Sequence, residues 1–178
     1  IKSANLLIYD SCVIKVADFG LATKAGISME DPEGDTRYLP LELLNSDERT
    51  YSADIFSFGI LLYEVVHTME LDYSNDPNLI HRKELLPIQG TLWQKLRSGD
   101  FTLPDRIPME LSLLIRAMMN PIPSARPTAS DILTLSDVQQ IECNPSLYLD
   151  SWKNVCFYQP RLMNRTASYD PSMNTSNR

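Results

Sequence analysis

Apolar positions are patterned in three different ways along this chain, and each predicts a different kind of structure. Near the start, Leu6-Leu7-Ile8-Tyr9 and Cys12-Val13-Ile14-Lys15-Val16-Ala17 flank Asp10-Ser11. Short apolar runs on either side of a turn signal predict a β-hairpin. A turn centred between Ser11 and Cys12 sets Asn5 opposite Asp18 at the open end. Two oxygen ligands placed so can share a divalent cation, although a one-residue slip would spoil that register. Residues 21–50 carry no sustained period and are punctuated by Gly26, Pro32, Gly34 and Pro40. They predict a long loop with one helical turn over Leu41–Leu44.

The next stretch has helical period. Residues 53–67 place Ile55, Phe56, Phe58, Ile60, Leu61, Leu62, Val65 and Val66 on most sides of a helix. A helix apolar all round belongs at the centre of a domain. Ser52 is its expected N-cap, with Asp54 and Ser57 near the start. Residues 69–90 are rich in Asp, Asn and Pro and predict a polar insert. A short amphipathic helix follows over Thr91–Ser98, stopped by Gly99. Another spans Met109–Asn120, with Leu111, Leu114, Ile115, Met118 and Met119 on one face. Pro121, Pro123 and Pro127 then force an extended or turn segment. Thr128 or Ser130 caps a last helix over Ala129–Leu135. Beyond about residue 137 the pattern weakens, and Met163–Arg178, dominated by Asn, Ser, Thr and Arg, predicts disorder.

Composition narrows the function classes. The chain has 178 residues, 43% of them hydrophobic, with 16 Lys plus Arg against 23 Asp plus Glu and a net charge of -7. Phosphate-backbone binding draws on clustered Lys and Arg, so this acidic balance argues against a nucleic-acid partner. Cys12, Cys143 and Cys156 have no zinc or redox spacing, which argues for a reducing compartment. No apolar stretch approaches the roughly 18–20 residues of a membrane span, and no signal peptide opens the chain. Ile rather than Met at position 1 predicts a processed chain or a fragment.

Three motifs occur in order: Ile1-Lys2-Ser3-Ala4-Asn5, Asp18-Phe19-Gly20 at a strand end, and Leu39-Pro40-Leu41-Glu42 closing the irregular loop. With a hairpin between the first two, they resemble the second half of the protein-kinase signature: catalytic loop, metal-binding Asp-Phe-Gly and the end of the activation loop. Asp54-Ile55-Phe56-Ser57-Phe58-Gly59 resembles the central kinase helix. Pro123 to Arg126-Pro127-Thr128 resembles the late segment whose Arg pairs with the Glu ending the activation loop. Two further blocks resemble the Wee/Myt group, the inhibitory kinases of cyclin-dependent kinases. They are Glu33-Gly34-Asp35-Thr36-Arg37-Tyr38-Leu39, and Met69-Glu70-Leu71 followed by Trp93-Gln94-Lys95-Leu96-Arg97-Ser98-Gly99. The Asp72–Gln89 segment is longer than that pattern needs, and Leu41 departs from the usual ending before the Glu.

The resemblance implies a mainly α fold: a kinase C-lobe over residues 1–136 with a hairpin at its start, and a C-terminal extension over 137–178. It implies ATP and magnesium as cofactors. Asn5 and Asp18 would hold magnesium, within a cofactor-binding set of Asn5, Asp18, Phe19 and Gly20. Lys2 would stabilise charge near the γ-phosphate. Asp54 at a buried helix start would bond catalytic-loop amides, and Glu42 with Arg126 would form a buried ion pair. The implied substrate is a tyrosine, with threonine as a further option, in the ATP loop of a cyclin-dependent kinase. Nuclear action is the expectation, with the cytoplasm as the alternative. The base Asp of the signature belongs five residues before Asn5, immediately before Ile1, and the N-lobe belongs further upstream. The chain alone is therefore expected to be inactive. The competing readings are a truncated C-lobe that binds partners and another Ser/Thr kinase. The loop hydroxyls Thr23, Ser28, Thr36 and Tyr38 are expected to be ordinary residues rather than switches.

Overall fold

The long helix over Tyr51–Thr68 carries the apolar residues of the chain's middle into the centre of the lobe. The computed structural model describes residues 1–9, 13–27, 34–45, 49–68 and 85–135. In chain order the elements are β1 (Leu6–Tyr9), β2 (Val13–Val16), α1 (Glu42–Asn45), α2 (Tyr51–Thr68), α3 (Thr91–Ser98), α4 (Met109–Met118) and α5 (Ala129–Leu133). Short 3-10 turns lie at Ser3–Asn5 and Pro123–Ala125. The lobe is mainly α-helical, with one two-stranded antiparallel hairpin at its start.

The core forms where α2 meets α4 and the segments around α3. Phe56, Ile60, Tyr63 and Val66 from α2 pack with Leu86, Leu96, Phe101, Ile115 and Met119. Tyr63 meets Phe101 edge to face, with ring centroids 5.6 Å apart. Gly59 lets the two helices close on each other. A Cβ there would lie 2.7 Å from Met119 Cγ and 3.1 Å from Met118 Cβ. Gly99 stops α3 as anticipated: it adopts φ 79°, and its N–H caps Lys95 O. Thr128 rather than Ser130 caps α5. Thr128 Oγ1 accepts from Asp131 N while Asp131 Oδ2 accepts from Thr128 N at 2.8 Å.

Several expectations shift. Ser52 is not the N-cap of α2 but lies within its first turn, after Tyr51. Thr50 precedes the helix, accepts from Ala53 N at 3.2 Å, and its hydroxyl meets that of Ser52. Helix α4 stops at Met118 because Asn120 N bonds Ala117 O, tightening the last turn ahead of Pro121. Helix α5 ends at Leu133, where Thr134 and Leu135 also take the tighter pattern.

The hairpin register differs by one residue from the expected one. Leu6 pairs with Val16 and Tyr9 with Val13, so Asn5 faces Ala17 rather than Asp18. Ala17 N donates to Asn5 O at 2.8 Å. Three residues rather than two separate the last pair, which moves the whole ladder. Most of the predicted 69–90 insert and all of the 137–178 extension lie outside the described residues. No helix among the described residues is long and apolar enough to cross a membrane.

Candidate active site

The slipped register does not part Asn5 from Asp18. Asp18 follows the strand end and adopts φ 61°, a left-handed conformation that Asp tolerates better than most residues. Its Oδ2 accepts from Asn5 Nδ2 at 3.4 Å, and its Oδ1 accepts from Gly20 N at 3.3 Å. A Cβ on Gly20 would stand 3.3 Å from that same Oδ1, so the glycine keeps the carboxylate's flank clear. The Asn5 amide and the Asp18 carboxylate thus meet at the edge of a cleft of about 480 Å³ that also takes in Lys2, Phe19, Asp35 and Tyr38. Phe19 is 69% exposed there. The donor set fits magnesium, which is held by one or two carboxylate-type ligands and completes its shell with phosphate and water. Among the described residues no cluster of three or more His, Cys, Asp or Glu offers a self-sufficient metal cage.

Asp35 faces this cleft and is gripped from within the loop. Arg37 donates from Nε to Asp35 Oδ1 at 2.9 Å and from Nη2 to Oδ2. The Arg37 guanidinium, with a smaller pull from Lys2, holds the Asp35 carboxyl below its ordinary range. Lys2 therefore shares the cleft with a fixed carboxylate as well as with Asn5 and Asp18.

Tyr38 joins three parts of the lobe. Its hydroxyl donates to Glu64 Oε2 at 2.7 Å, which leaves Ser3 Oγ to donate to Tyr38 Oη at 2.9 Å. The segments that carry Ser3 and Tyr38 meet α2 at one phenol. Burial pushes that phenol up to about 12.

The residues expected to be structural fall in two places. Glu42 and Arg126 meet as a two-pronged ion pair. Arg126 donates from Nη1 to Oε1 and from Nη2 to Oε2 at 3.0 Å, and further to Asn120 O and Ser52 O. The Arg126 side chain is buried, while that of Glu42 is 23% exposed. Asp54 is not buried: its side chain is 67% exposed, with Oδ1 3.8 Å from the main-chain nitrogen of Ile1. In the first turn of α2, Asp54 opens towards the cleft while Ala53 beside it is buried.

Two residues of the site had no role assigned by sequence reasoning, although both lie in a quoted block. Arg97 is 2% exposed. It donates from Nε to Leu39 O at 2.9 Å, from Nη2 to Thr36 O at 2.8 Å and Arg37 O at 3.0 Å, and from Nη1 to Trp93 O at 3.1 Å. Trp93 stacks on the guanidinium, 3.9 Å from ring centroid to Cζ, and donates from Nε1 to Thr36 O at 2.9 Å. Burial pulls Arg97 down to about 10.

The protein kinase domain family matches residues 1–136. The chain belongs to the protein kinase family. Among curated relatives, the chain is similar to a probable protein kinase of Dictyostelium discoideum, 38% identical over 144 residues, covering 79% of this chain and 36% of the relative. It is similar to the Wee1-like protein kinase of Oryza sativa subsp. japonica, 34% identical over 134 residues, covering 75% and 23%. It is similar also to the membrane-associated tyrosine- and threonine-specific cdc2-inhibitory kinase of Drosophila melanogaster, 36% identical over 149 residues, covering 80% and 25%. The kinase lobe thus spans between 23 and 36% of the length of these relatives. Its likeness to Wee-type kinases agrees with the two subfamily blocks.

Proposed function

We propose that the protein carrying this kinase lobe transfers the γ-phosphate of ATP to a tyrosine in the ATP loop of a cyclin-dependent kinase, inhibiting it and restraining mitotic entry. The observation behind the substrate is the likeness to a kinase named as cdc2-inhibitory, together with the Glu33–Leu39 and Trp93–Gly99 blocks. Magnesium, when bound, neutralises phosphate charge as the phosphoryl group passes between oxygens. Asn5 and Asp18 are the residues that would hold it. The Lys2 ammonium supplies positive charge beside them, in a cleft that it shares with Asp35. Charge placed in advance of the reaction is what lowers the barrier in phosphoryl transfer.

The test is phosphosite mapping on a cyclin-dependent kinase incubated with the full-length protein, magnesium and ATP. Phosphotyrosine in the ATP loop is the expected result, lost by at least a hundredfold in Asp18→Asn. Clean serine phosphorylation, or full activity in Asp18→Asn, would sink the proposal.

A further inference from the structure

The stretch Thr36–Leu39 has every carbonyl engaged inside the lobe. Thr36 O takes both Arg97 and Trp93, Arg37 O and Leu39 O take Arg97, and Tyr38 O takes the Ser57 hydroxyl at 3.0 Å. Three of the four carbonyls are thus gripped by α3, which lies about 60 residues away in sequence. Main-chain carbonyls are the targets, so the grip is indifferent to the side chains at 36–39 and fixes only the path of the backbone. A planar guanidinium with five donors in a rigid fork suits this task, and the Trp93 face holds that fork in plane.

The held stretch abuts the reacting groups. Tyr38 Oη bonds Ser3, the neighbour of Lys2, and Asp35 shares the cleft with Lys2, Asn5 and Asp18. We propose that Arg97 and Trp93 are positioning residues for the protein acceptor, fixing the 36–39 backbone so that the accepting hydroxyl lines up with the phosphoryl group. The inference rests on the chain's membership of a protein kinase and deepens the proposed function. It does not depend on which protein is the acceptor. Positioning errors near 1 Å can cost about a hundredfold in rate, so a loosened grip reads out in turnover of acceptor long before the lobe unfolds. No residue of α3 lines the cleft that holds Asn5 and Asp18, the residues proposed to hold magnesium.

The experiment compares full-length wild type with Trp93→Phe and Arg97→Lys. Trp93→Phe keeps the stacked ring and removes a single donor. It should raise the KM for acceptor about three- to tenfold while the KM for ATP stays within twofold. Arg97→Lys loses the fork and should lower acceptor kcat/KM by roughly ten- to a hundredfold, again sparing ATP. Amide exchange at residues 36–39 should quicken at least tenfold in Arg97→Lys, with α2 amides unchanged. The acceptors are a cyclin-dependent kinase and a random Glu–Tyr copolymer. Turnover of the copolymer alone would remove the cyclin-dependent kinase from the proposed function while still reading the grip. Equal changes in acceptor and ATP KM in Trp93→Phe, or unchanged exchange at 36–39 in Arg97→Lys, would overturn the positioning role. Should Arg97→Lys fail to fold, the KM split in Trp93→Phe decides.

Discussion

A single phenol shows how much one residue can hold. Tyr38 is buried, donates to Glu64 and accepts from Ser3, so it ties together three segments that lie far apart in sequence. Tyr38→Phe keeps the ring and strands Glu64 and Ser3. It should lower stability by about 1–2 kcal/mol, measured by urea unfolding of the full-length protein. The pH dependence has a definite sign. Burial holds the folded phenol up at about 12, above the ordinary 10.0 of a phenol in the unfolded chain. A raised folded value means that the stabilisation is complete below pH 10 and is lost as pH climbs from 10 towards 12. Burial of Tyr63 adds a slope of the same sign, but it is common to both proteins. Unfolding curves from pH 9 to 11.5 should therefore converge for wild type and Tyr38→Phe as pH rises. Curves that stay parallel would show that this phenol is not held neutral. None of this could be read from the sequence, where Tyr38 is one loop hydroxyl among four. Its partners are set by a fold that brings positions 3, 38 and 64 together.

At the scale of the element, helices were the most legible part. The all-round apolar pattern of residues 53–67 fixes α2 to within two residues, since burial on every side leaves little choice of structure. Boundaries drifted where proline and tightened turns end helices, at Met118 and Leu133. The hairpin was legible as an element but not in register. Both faces of β2 are exposed, so hydrophobic alternation along it does not select between ladders one residue apart. Asn5 and Asp18 were legible as a motif, yet they meet through the left-handed backbone of Asp18 rather than through cross-strand pairing. The roles of Arg97 and Trp93 were illegible because their partners are carbonyls, which every residue has. The close approach of α2 to α4 has a direct test. Gly59→Ala gains helix propensity worth up to about 1 kcal/mol. The new methyl, however, would press on fully buried Met118 and Met119. Overpacking of that kind costs about 1–3 kcal/mol, so a net loss in the urea midpoint is expected. A gain would mean that Met119 swings clear at no cost.

Across the whole lobe, Glu42 and Arg126 join segments 84 residues apart in sequence. Arg126 also ties down Asn120 O and Ser52 O, so α1, the start of α2 and the turn after α4 depend on one guanidinium. Glu42→Ala should cost about 3–5 kcal/mol, because it leaves that guanidinium buried and unpaired. Glu42→Ala combined with Arg126→Met should cost less than the sum of the two single changes, and thermal or urea unfolding of the four proteins measures the coupling. Strict additivity would mean that the pair contributes nothing beyond its separate contacts.

The hairpin has a consequence of a different order. Leu7, Ile8, Val13, Ile14 and Val16 are each about half or more exposed, on a ribbon that among the described residues has two strands. Such a ribbon is marginal by itself, and its bare apolar edges are templates for adhesion. A preparation of these 178 residues alone would behave as a colloid before it behaved as an enzyme. The aggregated fraction would rise with concentration and with warming, and the chain would be retained on hydrophobic resins and captured by chaperones.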